Sequence, residues 1–180
     1  NALGHRASKA EVEVIATCLP TEVVGSLHRC MEQLQMDIDT MTLEPIAAMR
    51  AVIPQDLRLL NLALVDIGAG TSDIAISNDN TVVGYTMATV AGDEVTESII
   101  RKYLVDFPTA ERLKMALEAG GPFSFTDILG FEHEPDGSEM AATIEPAVEN
   151  LAQVIGDKIL DCNGGTAPAA VFLVGGGSKT

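Results

Sequence analysis

Residues 62–76 read Leu62-Ala63-Leu64-Val65-Asp66-Ile67-Gly68-Ala69-Gly70-Thr71-Ser72-Asp73-Ile74-Ala75-Ile76: an aliphatic run that reaches an acid, turns through glycines and re-enters an alternating run. That pattern predicts a strand, a tight turn and a second strand. Gly68 and Gly70 let a ligand come close to the backbone, and successive N–H groups in such a turn form a concavity for anions without any basic side chain. Asp66 at the strand tip would repel a bound phosphate. Its chemistry fits Mg²⁺ held through water, since that ion keeps several waters of its own. The plain alternative is a hairpin turn with Asp66 and Asp73 as polar punctuation, and this segment alone leaves both readings open. The dinucleotide fingerprint fits worse, because it needs a third glycine opening a helix, whereas Asp73 begins another strand.

Ala169-Ala170-Val171-Phe172-Leu173-Val174-Gly175-Gly176-Gly177-Ser178-Lys179 is a second buried-type strand running into glycines. It is not a P-loop, in which Gly directly precedes Lys and a helix follows; here Ser178 intervenes. A glycine run at a strand tip suits close approach to a flat nucleoside, and equally an ordinary strand-to-helix turn.

Two further segments complete an ordered set: Leu43-Glu44-Pro45-Ile46-Ala47-Ala48 ahead of the first glycine turn, and Ala110-Glu111-Arg112-Leu113-Lys114 between the two. The succession Glu-Pro-x-Ala, Asp-x-Gly-x-Gly-Thr-x-Asp, Glu-Arg-x-Lys and Val-Gly-Gly-Gly resembles the actin-like ATPase superfamily, which includes the seventy-kilodalton heat-shock chaperones, MreB and FtsA. In that family these are the linking helix, the second phosphate loop, the adenosine-facing helix and the adenosine loop. Within the superfamily the chain is most similar to FtsA, through residues 11–16 and the helix after them, Leu43-Glu44-Pro45, Ala91-Gly92-Asp93-Glu94-Val95-Thr96 and Ile144-Glu145-Pro146-Ala147-Val148-Glu149. Ala69 departs from the usual middle glycine, and the final glycine run leans toward the chaperone version.

The resemblance implies an α/β chain of actin-like ATPase (ribonuclease H-like) fold, a mixed sheet flanked by helices, comprising the end of a first lobe and most of a second. It places residues 1–10 as tag remnant and linker, 11–58 as the end of the first lobe, and 59–180 as the second lobe with a small sublobe near 121–143. The family's first phosphate loop and last helix have no counterpart, so the chain is expected to be an excised fragment. In the intact parent the resemblance implies ATP with Mg²⁺ between lobes. Gly68, Ala69, Gly70 and Thr71 would donate to phosphates, and Asp66 would hold the metal shell. Glu111 and Lys114 would face the adenosine, with Gly175, Gly176 and Gly177 beneath the nucleoside. Glu44 would orient the attacking water or relay nucleotide state, in keeping with phosphoryl transfer by positioning and charge; otherwise it is an ordinary helix-start acid before a proline.

Three classes of function compete. The first is a filament-forming division ATPase that recruits the tubulin-like FtsZ, the second a chaperone-type ATPase, and the third a non-hydrolysing scaffold of the pilus-assembly or microcompartment kind. The expected setting is cytoplasmic, with the parent at the inner face of the membrane through segments outside this chain.

Composition narrows the classes further. The 180 residues are 47% hydrophobic with positive mean hydropathy, which suits a folded domain rather than a disordered chain. A formal charge of −15 offers little attraction to nucleic-acid backbones or anionic lipid. Cys18, Cys30 and Cys162 lack Cys-x-x-Cys spacing and are expected to be reduced and mostly buried. His5, His28 and His133 are scattered and expected to serve surface or packing roles.

The elements that must position these residues follow from period and punctuation. Val12, Val14 and Ala16 alternate as a strand, and Val23, Val24, Leu27, Cys30, Met31 and Leu34 follow helical spacing. A strand is then expected before a helix over Glu44 to Val52. Asn78-Asp79-Asn80 predicts the turn into a third strand, Thr81 to Met87. Gly92-Asp93 opens a helix to about Leu104, Pro108-Thr109 starts another, and Gly120-Gly121-Pro122 ends it. Residues 123–142 read as short strands or a loop-rich lobe, ahead of a helix from Ile144 to Cys162 and the final strand. Met31, Met36, Met41 and Met49 are expected to fill core.

Overall fold

A computed structural model describes residues 4, 6, 8, 9, 11 and 18–179. The expected strand at Val12, Val14 and Ala16 lies outside the described residues. The chain divides into two compact units, Asn1–Thr42 and Leu43–Thr180.

In the first unit, helix α1 (Thr21–Gln33) begins after Pro20 and stops where Gln35 takes a left-handed φ of +55°. Its apolar stripe forms at the expected spacing, yet no residue of α1 is buried. The strand expected before residue 44 is absent, and residues 36–43 are irregular. Asp37 and Asp39 are the residues here that disfavour a strand, since aspartate is depleted in strands. Met36 and Met41 are 55% and 44% exposed, so the core-filling role holds for Met49 and not for them. Cys18 and Cys30 are exposed and Cys162 is half-buried, against the expectation of mostly buried thiols; burial raises the Cys162 thiol pKa.

The second unit is a four-stranded mixed sheet with helices on both faces. Strands β1 (Leu62–Ile67), β2 (Ser72–Asn78) and β3 (Thr81–Ala88) form an antiparallel meander. Asp79 and Asn80, both at positive φ, make the β2–β3 turn. Strand β6 (Ala170–Val174) lies parallel to β1, giving the order β3-β2-β1-β6. Strand period 2 sends Leu62, Leu64 and Asp66 to one face and Ala63, Val65 and Ile67 to the other.

Each face has its own cover. Helix α2 (Glu44–Val52) and the residue after it bring Met49 and Ile53 onto Leu62, Leu64 and Ala75. Arg58 donates from Nε to the Ile53 carbonyl at 2.9 Å and from Nη2 to the Arg50 carbonyl at 2.8 Å, a cationic stop for α2. On the opposite face Leu151, Ile155 and Ile159 of α5 (Gly137–Cys162) meet Ala63, Val65, Ile67, Ile74 and Ile76. Burying each such aliphatic side chain contributes about 1.5–3 kcal/mol.

Helix α5 starts seven residues before Ile144, where the sequence predicted a loop-rich stretch. Asp136 accepts from the Ser138 and Glu139 amides at 2.9 Å each, and this cap starts the helix early. Its first half, with Met140 and Ile144, packs with α3 (Gly92–Tyr103), α4 (Phe107–Ala119), Phe123 and Phe125 in a separate core. Two-residue strands β4 (Phe125–Thr126) and β5 (Glu132–His133) form a small hairpin, the short strands expected there. One helix thus serves two cores: its first half holds α3 and α4, and its second half holds the sheet that carries the first glycine turn.

Candidate functional site

The β1–β2 turn is closed by one bond, from the Gly68 amide to the Thr71 carbonyl at 2.9 Å. Outside it, the start of α3 grips the turn: the Gly92 amide donates to the Gly68 carbonyl at 3.1 Å and the Asp93 amide to the Ala69 carbonyl at 2.8 Å. The carbonyls of Gly68, Ala69 and Thr71 are therefore spoken for. Among the described residues, however, the amides of Ala69, Gly70 and Thr71 have no acceptor. Native backbone groups are nearly always paired, so three consecutive free amides on an exposed turn point to water or a ligand.

Asp66 stands at the end of β1 with no hydrogen-bond or ion-pair partner among the described residues. It lies directly opposite Asp73 in the β1–β2 register. Like charges facing each other across a strand pair destabilise it. Asp73 is relieved by the Tyr85 hydroxyl, which donates to its Oδ1. That bond, aided by burial and by the charges of Asp73 and Glu44, pushes the Tyr85 phenol up to about 12. Asp66 has no such relief, and its open carboxylate fits a hydrated cation beside the free amides. No group of three or more His, Cys, Asp or Glu side chains suited to a metal exists among the described residues, so the protein would share the ion with a ligand.

The final glycines come to the same place. A side chain on Gly175 would put its Cβ 2.3 Å from both Asp66 Oδ1 and the Ile67 carbonyl, and one on Gly177 would stand 2.6 Å from Ile67 Cγ2. The Gly175–Gly177 loop therefore lies directly on the end of β1. Lys179, which invited the P-loop comparison, is exposed and 3.9 Å from Glu118.

Glu111 and Lys114 are one turn apart on α4 and pair at 2.7 Å. Lys114 Nζ also donates to Thr96 Oγ1 at 2.8 Å and to the Gly92 carbonyl at 3.2 Å. Thr96, fully buried on α3, donates to Glu111 Oε2 at 2.7 Å. Burial works against the Glu111 charge, but the Lys114 and Thr96 bonds outweigh it and hold its pKa below the usual glutamate range. Glu44 opens α2 ahead of Pro45, exposed and without a bonding partner among the described residues. Its charge reaches Tyr85, which places it toward the Asp66–Asp73 face of the sheet.

The structure thus gathers Asp66, Gly68, Ala69, Gly70, Thr71, Gly175, Gly177 and, through Gly92, Lys114. Thr96 and Tyr85 went unassigned in the sequence. The signals were there: Thr96 follows Gly92 by one helical turn, and Tyr85 faces the same side as Asp73 by strand alternation. A concavity of about 940 Å³ between α5 and β6, lined by Pro146, Ile159 and Val171 among others, shares no residue with this site.

Comparison with known proteins bears on the family and the fold. The sequence profile of the family "Cell division protein FtsA" matches residues 63–157, from β1 into α5. The FtsA of Pseudomonas aeruginosa is 25% identical over 187 residues, covering 98% of this chain and 45% of that protein. The chain therefore spans less than half the length of that relative. Among solved structures, MreB5 of Spiroplasma citri bound to ADP has a TM-score of 0.68 at 18% identity, covering 89% of this chain and 55% of that one. A PilM–PilN type IV pilus biogenesis complex gives 0.67 at 18% identity, covering 88% and 42%. At such identities these two structures speak for the fold alone. With the profile spanning more than half of the chain from the glycine hairpin onward, the chain belongs to the FtsA family of actin-like ATPase fold proteins.

Proposed function

We propose that this chain is the nucleotide-holding part of an FtsA-like division protein, with the β1–β2 turn as its phosphate cradle. The observation that carries this reading is the set of three consecutive free amides of Ala69, Gly70 and Thr71 beside the unpartnered carboxylate of Asp66. Amides in that arrangement bind phosphate oxygens, and Asp66 would hold Mg²⁺ through its water shell, which neutralises the phosphate charge. Gly176 and Glu111 would meet the nucleoside, and Glu44 would sense or position what lies beyond the terminal phosphate. The chain covers 45% of the P. aeruginosa protein, and we propose that the remainder of the parent supplies a second set of phosphate contacts. On that reading this chain alone binds Mg-ATP weakly and turns it over negligibly, because the transition-state charge is poorly surrounded.

Calorimetric titration of the chain and of its full-length parent with Mg-ATP tests this. Tight binding by the parent and weak binding by the chain is the expected result; submicromolar affinity or clear turnover by the chain alone would show that one set of contacts suffices. For the parent we further propose head-to-tail polymers, whose heterologous contacts repeat without closing, and recruitment of an FtsZ-like protein. Ultracentrifugation with ATP and Mg²⁺ should pellet it. Persistent monomers in every nucleotide state and with lipid present would favour a chaperone-type or scaffold role instead.

A further inference from the structure

The bonds around Gly92 form a relay. The peptide unit joining Gly92 to Asp93 is planar: its carbonyl accepts from Lys114 Nζ at 3.2 Å, and its N–H donates to the Ala69 carbonyl at 2.8 Å. The Ala69 carbonyl in turn belongs to the peptide unit whose N–H is that of Gly70, one of the three free amides. Two rigid planes therefore connect Lys114 to the amide that faces the ligand. An ammonium has three protons, and here Glu111, Thr96 and the Gly92 carbonyl take all three. The Lys114 side chain is only 10% exposed. It has no proton left to donate to a nucleoside. Glu111 differs, because its protein bonds all go to Oε2 and it remains 37% exposed.

We infer that Lys114, locked by Thr96 and Glu111, is a positioning residue that aims the Gly70 amide at the phosphates through the Gly92–Asp93 peptide, while Glu111 alone of the pair is left to meet the nucleoside. This rests on the nucleotide reading above. It divides a paired motif into two jobs, one at each end of the ligand, and adds Thr96 as the buried hydroxyl that keeps the ammonium in place. Thr96 Oγ1 also stands 3.2 Å from the Gly92 carbonyl, but its one proton goes to Glu111, so Thr96 acts on that peptide through Lys114. Hydrogen bonds in such a chain polarise one another, which makes the last donor stronger as well as better aimed.

The test uses the full-length parent and four variants, Lys114→Met, Thr96→Val, Thr96→Ser and Glu111→Gln, each checked for cooperative thermal unfolding. Lys114→Met and Thr96→Val should each weaken Mg-ATP binding at least tenfold while changing adenosine binding, followed by NMR titration, less than threefold. Thr96→Ser keeps the hydroxyl and should stay within threefold of the unaltered protein for both ligands. Glu111→Gln should weaken adenosine binding as well. In the ligand-free protein the Gly70 amide resonance should move in Lys114→Met and Thr96→Val and stay in place in Thr96→Ser. Equal losses for ATP and adenosine in Lys114→Met would mean that Lys114 contacts the nucleoside directly, and overturn the inference. So would folded variants that bind Mg-ATP like the unaltered protein, or an unmoved Gly70 amide. Failure of the unaltered parent to bind Mg-ATP would overturn the nucleotide reading instead, and the Gly70 resonance would still decide the relay.

Discussion

Two glycine turns sit side by side at the tips of adjacent parallel strands, yet they contain glycine for opposite reasons. At the tip of β6, Gly175 has a φ of +84°, and any Cβ there would collide with the β1 backbone. Gly177 has no left-handed φ but is as tightly packed, 2.9 Å from the Gly68 carbonyl to where its Cβ would be. The fold itself demands these two. At the tip of β1, neither Gly68 nor Gly70 adopts the left-handed region, and the nearest atom to a Cβ on Gly70 is Asp93 Oδ2 at 3.9 Å. The fold would accept alanine at Gly70. A glycine that neither backbone conformation nor packing requires leaves room for something outside the chain to come close, and the anion proposed above for the free amides would use that room. Gly176, with open space around it, belongs with Gly70 in this respect and not with its own neighbours.

Replacing the packed glycine should have the largest effect. Gly175→Ala is expected to destabilise the chain by roughly 3–5 kcal/mol, left-handed strain and overpacking together, read from the denaturant midpoint of the isolated chain. A loss below about 1 kcal/mol would erase the distinction between the turns, since that is the scale of an ordinary substitution. Gly70→Val should do the reverse. Its stability is expected to stay within about 1 kcal/mol, while the parent loses at least a hundredfold in Mg-ATP affinity, about 2.8 kcal/mol, because the side chain occupies the ground the phosphates need. Unchanged nucleotide binding would leave the hairpin a purely structural turn.

Asp66→Ala comes next, weakening Mg-dependent binding by about 1.5–3 kcal/mol, the scale for interactions of a charged group. Because Asp66 has no protein partner and faces Asp73, folding stability should hold or rise slightly in the same variant; a marked fall would assign Asp66 to the fold rather than to a metal. The smallest effect concerns Tyr85. Its raised pKa favours the protonated phenol in the folded state, so its contribution to stability is complete below pH 10 and is lost as pH rises through about 12. Spectrophotometric titration should show that Asp73→Asn lowers this midpoint; an unmoved midpoint would mean that Tyr85 does not relieve Asp73.

The glycine hairpin, the meander and the helices over 44–52, 92–103 and 107–119 were legible because each is written in local patterns of period, cap and turn residue. Asp106, for example, caps α4 by accepting from the Thr109 amide at 2.9 Å, a contact between residues three apart. The misreadings lie where nearby residues do not decide. The stretch before Glu44 has apolar residues but carries Asp37 and Asp39 among them, and the thiols of Cys18 and Cys30 are exposed. The early start of α5 was hidden because Gly137 and Ser138 look like loop, although Asp136 ahead of them is a good cap.

By itself the sequence determined the chemistry available at the site, an acid at a strand tip beside glycines, together with the order of the motifs and the family they belong to. Those are matters of residue type and spacing along one chain. Only the tertiary structure decided which glycines are required by packing, that Asp66 faces Asp73 without a partner, and that Lys114 spends all three protons inside the protein. Each of these depends on groups far apart in sequence: Gly175 meets Asp66 because β6 docks beside β1, and Lys114 meets Gly92 because α4 folds back on α3. Hydrogen-bond capacity and steric room are properties of neighbours in space, and a residue's neighbours in space are set by the fold.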